Sequence, residues 1–372
     1  MKRTNRLWLT AILFSILPGL ADAQLTTLPS GGNPRASVYE QVGLTDITIH
    51  YNRPGVKGRE GKIWGDLVPY GYTDPGFGIA KSAPWRAGAN ENTVIRFSTD
   101  VVIEGKPLAA GEYALLIDVQ PDAANIIFNK NVKAWGTYFY KPEENVLSVP
   151  VKTGTLAESQ ERLSFEFLNQ KENSAVIALL WEKRSFPFTV QVDAVKNQLD
   201  LYRGELTGQT GFRNDVWAEA IQFCVNRKVN LEEALQWSDY ALNGPFFGVR
   251  NFSNYKARAD VLNALNRSSE ADSAMAQAMK VGDEVEVHQY ARQLLAQGKK
   301  DKAVEVFKTN AKNHPNVYTT NMGLVRAYSA QGDYKNALKY LKLAQAQARN
   351  QADRDQIAKM MTDLQAGKDI NL

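Results

Sequence analysis

Five residues in the first half of the chain carry the side chains expected of a ligand-binding site. The guanidinium group of Arg86 can present two parallel N–H donors to a carboxylate or a phosphate. Asn90 and Glu91, a few residues later, can hydrogen-bond a ligand that bears hydroxyl groups. The indole ring of Trp85 or of Trp64 can stack on a sugar or another flat group. The sequence therefore predicts that these five residues bind a glycan or another small molecule.

The same polar residues have a structural alternative. Arg86 and Glu91 can pair with each other, or with backbone groups of the segment between Trp85 and Thr93, and so hold that turn closed. Polar side chains that are buried in loops satisfy backbone groups more often than they bind ligands. On this interpretation Arg86 is a latch for the loop rather than a ligand contact.

No residue pattern of a known catalytic or metal site accompanies them. The chain has three histidines, His50, His288 and His314, and no two of them have the spacing of metal ligands. The one cysteine, Cys224, lies in a helical pattern, and the sequence has no Gly-x-Ser-x-Gly turn and no Gly-Lys-Ser/Thr string. We therefore predict no catalytic, metal-binding or cofactor-binding residue.

A pair of carboxylates is the remaining chemical alternative. Glycoside hydrolases place two Asp or Glu side chains on either side of the scissile bond. Glu91 and Asp66 are the candidate acid and base in this chain, which makes a carbohydrate-active hydrolase the alternative function. Asp and Glu are common enough in this sequence for such a pair to occur by chance.

The elements around these residues follow a period of two, from about residue 36 to residue 192. Ile47 and Ile49 alternate with polar residues, and Phe165 and Phe167 do the same. Turn signals such as Glu-Gly-Lys and Glu-Asn-Ser separate these runs at the short spacing of antiparallel hairpins. About nine or ten short strands without helices between them predict an antiparallel sandwich or barrel.

All five predicted site residues lie within one long segment, from Asn52 to Asn92, that is rich in Gly, Pro and aromatic residues. A loop of this length inside a compact domain is usually functional or disordered. The aromatic content argues against disorder. We therefore expect this segment to be the binding region of the β domain.

From Asn214 onward the composition shifts to Ala, Leu, Lys and Gln in a helical pattern. Ala337 lies 34 residues after Ala303, and the turn glycines Gly298 and Gly332 have the same spacing. This period resembles the tetratricopeptide repeat, the alternative being a helical bundle with coincidental spacing. The resemblance implies about four helical hairpins over residues 214–350, a capping helix at residues 353–364, and a surface for a protein or peptide partner.

Five strings of the first half occur together and in order in one bacterial family. They span residues 37–43, 47–59, 63–71, 85–93 and 126–130, and read SVYEQVG, ITIHYNRPGVKGR, IWGDLVPYG, WRAGANENT and IIFNK. Over roughly residues 30–192 the chain thus resembles the exported family catalogued as domain of unknown function 2911. The resemblance implies no activity, because the family has none assigned. This chain departs from the usual pattern by extra residues at about 72–83, which affects the shape of any cleft beside the fourth string.

The first residues have the three parts of a secretory signal. Basic residues at positions 2, 3 and 6 precede an apolar run from Leu7 to Leu20, and Ala21-Asp22-Ala23 is a small-x-small cleavage site. The run is shorter than the roughly 20 apolar residues that span a bilayer. We therefore expect an exported chain that begins at Gln24, is periplasmic or extracellular, and has no membrane span after cleavage.

The charge balance argues against a nucleic-acid partner. Removing residues 1–23 takes three Lys or Arg and one Asp from the 44 basic and 40 acidic residues of the chain, which leaves 41 and 39. A net charge of +2 without a basic stripe is not that of a nucleic-acid-binding protein.

Together these patterns predict a two-domain chain, β then α: an antiparallel β-sandwich or barrel followed by a tetratricopeptide-like α-solenoid. The predicted boundaries are a signal peptide at residues 1–23, an all-β domain at 24–192, a short helix and linker at 193–213, and helical repeats at 214–372. By elimination we predict a ligand-binding or protein-interaction module of the bacterial envelope. Its expected partners are a protein or peptide on the repeats and a glycan or small molecule on the β domain, with no cofactor.

Overall fold

A computed structural model describes residues 32–371 of the chain. The described residues divide after Gln198 into two compact units, which we call the β unit and the helical unit. The predicted signal peptide, residues 1–23, lies outside the described residues. Within residues 32–371, no helix is long and apolar enough to cross a membrane.

The β unit consists of two antiparallel sheets. The strands are β1 (Arg35–Val42), β2 (Thr45–Asn52), β3 (Val94–Phe97), β4 (Val101–Ile103), β5 (Lys106–Leu108), β6 (Gly111–Val119), β7 (Ala123–Asn129), β8 (Asn145–Lys152), β9 (Gly154–Lys171) and β10 (Ser174–Val192). One sheet has the strand order β1-β2-β3-β6-β7-β8, and the other has the order β5-β4-β10-β9. A short 3₁₀ turn, Pro142–Glu144, precedes β8.

Alternation along the strands places one face of each sheet in a shared hydrophobic core. Ile47 and Ile49 of the six-stranded sheet are buried there, as are Phe186 and Phe188 of the four-stranded sheet. The rings of Phe128 and Phe188 meet across the core with their centroids 6.0 Å apart. Each side chain of this size that leaves water stabilises the fold by about 2–3 kcal/mol. The prediction of an antiparallel β domain from the period of two is confirmed.

Residues 53–93, between β2 and β3, belong to neither sheet but are fixed against both. The backbones of Trp85 and Ile117 exchange two hydrogen bonds of 2.8 and 3.0 Å. The N–H of Val56 donates to the carbonyl of Glu161 at 2.8 Å. The long loop predicted from the sequence is therefore held in place by backbone hydrogen bonds to β6 and β9.

The remaining elements are helices. They are α1 (Ala194–Thr207), α2 (Asp215–Arg227), α3 (Leu231–Asn243), α4 (Phe252–Ala264), α5 (Ser268–Val281), α6 (Glu284–Ala296), α7 (Lys300–Asn313), α8 (Tyr318–Ala330), α9 (Tyr334–Ala346) and α10 (Gln351–Gln365). A 3₁₀ turn, Gln209–Phe212, follows α1. Helix α1 ends at Thr207, inside the range 193–213 predicted to hold a short helix and a linker, and its Arg203 forms two hydrogen bonds, of 2.8 and 2.7 Å, with the carboxylate of Glu233.

Helices α2 to α9 form four hairpins, and the 34-residue period has a visible physical basis. Ala303 and Ala337 are fully buried at equivalent positions, where a small side chain lets the two helices of a hairpin approach closely. Gly298 and Gly332 both adopt a positive φ, of 75° and 74°, where the chain reverses. In an earlier turn Asn266 takes this role with a φ of 62°, which asparagine tolerates better than most residues. The prediction of tetratricopeptide-like repeats is confirmed.

Candidate functional site

Trp64 and Trp85, two of the five residues predicted to bind a ligand, line different clefts. Trp85 and Arg86 line a cleft of about 170 Å³ together with Pro69, Gly71 and Tyr138, among others. Trp64 lines a different cleft of about 440 Å³. Asn90 and Glu91 line neither of these two. The structure therefore divides the predicted site into parts with different surroundings.

The side chain of Arg86 hydrogen-bonds to the backbone of its own loop and packs against the loop between β7 and β8. Its Nη1 donates to the backbone carbonyl of Asn90 at 2.8 Å, and the guanidinium group lies 5.2 Å from the ring centroid of Tyr138. The backbone of Gly136 packs against the same group, so closely that a Cβ there would lie 2.4 Å from the guanidinium carbon. These contacts correspond to the latch interpretation, in which Arg86 closes the loop through backbone, and not to a pairing of Arg86 with Glu91.

We expect Arg86→Ala to lower the free energy of unfolding of the β unit by about 1–3 kcal/mol, because the carbonyl of Asn90 loses a charged donor in a half-buried position. Denaturant titration followed by tryptophan fluorescence measures this loss. The matched control is Arg96→Ala, since Arg96 is exposed on β3, and this variant should stay within about 0.5 kcal/mol of wild type. An Arg86 variant as stable as wild type would contradict the latch and restore the ligand interpretation.

Glu91 pairs with residues distant in sequence. It forms an ion pair with Arg35, and Nδ2 of the buried Asn52 donates to its Oε2 at 2.9 Å. Partial burial acts to raise the pKa of the Glu91 carboxyl, but hydrogen bonds from its own backbone N–H, Arg35 and Asn52 outweigh that effect and hold the pKa below its usual range. A general acid has to carry a proton near neutral pH. These contacts therefore do not favour Glu91 as the acid of a hydrolase.

The two indole rings proposed for stacking are largely used in packing. Trp64 meets Trp85 and Trp181 edge to face, with centroids 5.7 Å apart in both cases. Trp85 stacks on Trp181 at 6.0 Å, and its Nε1–H donates to the carbonyl of Gly88 at 3.2 Å. The three tryptophans thus form one cluster at the edge of the core. Such clusters contribute to stability beyond the burial of their surface.

Four charged residues that the sequence interpretation missed line the cleft beside Trp64, and two of them, Glu182 and Arg184, contact its indole. Glu182 is only 6% exposed and lies at a bulge of β10 with a φ of 51°. Its carboxylate accepts hydrogen bonds from the Trp64 indole at 3.2 Å and from the Lys183 backbone N–H at 2.6 Å. No ion pair that the described residues form includes Glu182, so this buried charge is held by neutral donors.

Arg184 lies on the other side of the same indole. Its guanidinium carbon is 5.3 Å from the Trp64 ring centroid, and its Nη2 donates to the Gln120 carbonyl at 2.8 Å and to Thr153 at 3.1 Å. Nη1 is buried and, within residues 32–371, has no hydrogen-bond acceptor. Burial lowers the pKa of Arg184, against the opposing effect of Tyr70, Asp122 and Glu182. The cleft therefore combines opposite charges with hydroxyl groups, a lining suited to small polar molecules.

One signal in the sequence marks these residues. Glu182-Lys183-Arg184 is a run of three charges that directly follows seven consecutive apolar residues, Ala175–Trp181, in the same strand. Charges at consecutive positions break the period of two, because one of them has to face the core. A β-bulge inserts one extra residue into the strand and so changes the direction of the charged side chains. Bulges are common beside functional sites.

The remaining side chains that could react are the potential metal ligands and the thiol of Cys224. Within residues 32–371, no three His, Cys, Asp or Glu residues are grouped closely enough to hold a metal ion. Cys224 is buried in α2, and burial raises the pKa of its thiol to about 11. The thiol is therefore protonated and unreactive at neutral pH.

The helical unit presents a groove of about 870 Å³ that crosses the first helices of three successive hairpins, α2, α4 and α6. Most of its lining side chains can form hydrogen bonds, and five of them are carboxamides: Gln222, Asn226, Asn263, Gln293 and Gln297. Lys256 and Asp260 form an ion pair of 2.6 Å on the same surface. This arrangement can hold an extended polar chain, since carboxamides match both the N–H and the C=O of a peptide group.

The sequence of the β unit matches the model of a known family. Residues 33–190 match the sequence model of a family described as "Protein of unknown function (DUF2911)". The match covers the range over which the five strings suggested this family, and it confirms that resemblance. No curated protein matches the sequence.

Solved structures that resemble the chain include tetratricopeptide-repeat proteins. YrrB, a tetratricopeptide-repeat protein with an unusual peptide-binding site, has 18% sequence identity and a TM-score of 0.26, and the match covers 44% of this chain and 84% of that one. Tom70 of yeast has 12% identity and a TM-score of 0.24, covering 45% of this chain and 43% of the other. At these scores the neighbours carry no inference about what this protein binds.

Proposed function

We propose that this chain, with its DUF2911-like β domain and its helical repeats, is an exported scaffold of the bacterial envelope whose repeats bind an extended segment of a partner protein. The observation that supports the proposal is the groove across α2, α4 and α6, because three consecutive hairpins contribute to one elongated polar surface. Solenoids of stacked repeats commonly bind partners on such extended surfaces. Export is proposed from the signal pattern of residues 1–23 alone.

The lining of the groove indicates the kind of segment it fits. A peptide in extended conformation offers one N–H and one C=O per residue, and the carboxamides of the groove can pair with both. Tyr290 adds a half-buried ring between these polar groups, against which an apolar side chain can pack. We therefore expect a partner segment that is mainly polar, with an apolar residue opposite Tyr290.

Site-specific photo-crosslinking tests the proposal. A photoreactive residue in place of Asn263, which lines the groove, should give a discrete adduct in cells that express the protein. The same residue in place of Lys342, which is exposed on α9 and does not line the groove, is the matched control and should give none. Combining the Asn263 probe with Tyr290→Ala should weaken the adduct several-fold, since a truncated aromatic contact typically costs about 1–2 kcal/mol of binding. Equal adducts at positions 263 and 342 would contradict the proposal.

A further inference from the structure

Two loops of the β unit that contact each other both expose large apolar side chains. Phe77 is 68% exposed and Ile79 57%, both in the long segment between β2 and β3. Trp135 is 55% exposed and Phe139 42%, both in the loop between β7 and β8. We call these four residues, three of them aromatic and one aliphatic, the aromatic surface. Single exposed apolar residues are ordinary, but a cluster of large ones marks a surface that contacts something other than water.

The two loops are fastened to each other. The backbone N–H groups of Ile79 and Ala80 both donate to the Tyr138 carbonyl at 3.0 Å. The ring of Phe77 lies 5.7 Å from that of Tyr138 and 6.3 Å from that of Phe139. Phe77 and Phe139 therefore lie side by side, and Ile79 and Trp135 belong to the same two connected loops.

Gly78 is the residue that permits this approach. It adopts a φ of 78°, and a Cβ at this position would lie 2.3 Å from the Tyr138 carbonyl oxygen. Any other residue would push the loops apart. The close contact keeps Phe77 beside Phe139, while Phe77 and Ile79 both stay exposed to solvent.

Lysines lie close to the exposed apolar side chains of both loops. The loop between β7 and β8, residues 130–144, contains Lys130, Lys133 and Lys141 together with Glu143 and Glu144, and Glu144 lies 4.0 Å from Lys141. Residues 70–81 contain one acid, Asp74, and one base, Lys81. Lys81 and Lys133 are exposed, and each lies two residues from a member of the aromatic surface. Residues 70–81 and 130–144 together contain four lysines and three acidic residues, a net charge of +1, and Lys81 and Lys133 are among the lysines nearest in sequence to the exposed apolar side chains.

We propose that the aromatic surface binds the headgroup region of an anionic lipid bilayer as a peripheral contact. Tryptophan and other aromatic rings partition to the interface between headgroups and acyl chains, and flanking lysines are attracted to anionic headgroups. An acidic protein surface would satisfy the lysines but would not require four large apolar side chains exposed to solvent. The proposal concerns the β unit and is independent of the partner bound by the repeats.

Vesicle co-sedimentation tests the proposal. The chain is used from Gln24 onward, because the apolar run at residues 7–20 would itself enter vesicles and all described elements lie after residue 34. With phosphatidylcholine vesicles that contain about a third phosphatidylglycerol, we expect binding that weakens as salt is raised. The double variant Phe77→Asp with Trp135→Asp should bind at least about tenfold more weakly, since two apolar side chains no longer enter the interface.

Matched variants separate this contact from general effects. Phe246→Asp changes a fully exposed aromatic residue of the helical unit and should bind as wild type does. Lys133→Glu should weaken binding several-fold, whereas Lys359→Glu, an exposed lysine of α10, should not. Circular dichroism checks that each variant is folded. Failure of the wild-type chain to sediment with anionic vesicles, or equal binding by the folded Phe77 and Trp135 double variant, would overturn the proposal.

Discussion

Replacing Trp64 with alanine is expected to destabilise the β unit by about 3 kcal/mol or more. The indole packs against Trp85 and Trp181 at 5.7 Å and against Phe186 at 5.1 Å, so the substitution opens a cavity at the edge of the core. It also removes the N–H that Glu182 accepts at 3.2 Å, which leaves a buried carboxylate with fewer donors. Denaturant unfolding followed by circular dichroism measures the loss.

The chain offers a matched control for this variant. Trp135 is also a tryptophan of the β unit, but it is more than half exposed, and Trp135→Ala should change the free energy of unfolding by no more than about 0.5 kcal/mol. A second variant, Trp64→Phe, keeps an aromatic ring and should recover part of the stability. If Trp64→Ala were as stable as Trp135→Ala, Trp64 would be free to serve a ligand, and the stacking role predicted from the sequence would return.

The class of each half could be predicted because its signal is local. Ile47 and Ile49 are two residues apart, and a strand places both on one face whatever the rest of the chain does. Ala303 and Ala337 are buried alike because each is one small residue inside one hairpin. Periodicity of this kind depends only on the geometry of a strand or a helix.

The contacts of the candidate site could not be predicted because its partners are remote. Trp64 donates to Glu182, which lies 118 residues later, and Glu91 pairs with Arg35, which lies 56 residues earlier. Only the arrangement of the sheets brings these residues together. Arg86 is the exception, because its acceptor is the carbonyl of Asn90, four residues away, and this local pairing was among the alternatives derived from the sequence.

The contacts of His288, in the helical unit, could not be predicted from the sequence either. The spacing of the histidines in the sequence bears only on metal binding, whereas in the structure the ring of His288 lies edge to face with that of Phe307, with centroids 5.3 Å apart. Its Nδ1 is buried and, within the described residues, has no hydrogen-bond partner. Burial, with Arg326 and Arg292 nearby, lowers its pKa to about 4, against the opposing effect of a hydrogen bond involving the backbone of Thr319. The side chain is therefore neutral in the folded protein at physiological pH.

A pH dependence of stability follows from that depressed pKa. The unfolded chain takes up a proton on His288 near pH 6.5, whereas the folded chain does so only near pH 4, so acid favours unfolding. The stabilisation from neutral His288 is complete above about pH 6.5 and is lost as the pH falls toward about 4. The difference between the two pKa values corresponds to a change of at most about 3 kcal/mol in the free energy of unfolding.

The variant His288→Asn isolates this contribution from the carboxylates that titrate in the same range. Asparagine keeps a polar side chain of similar reach but binds no proton, so the variant should lose less stability than wild type between pH 7 and pH 4, by up to about 3 kcal/mol. Urea unfolding followed at 222 nm at a series of pH values measures the difference. His314→Asn, at the end of α7, is the matched control for the loss of a histidine from the helical unit. Parallel pH curves for wild type and His288→Asn would mean that His288 is protonated as readily in the folded chain as in the unfolded one, and would contradict its neutral, buried state.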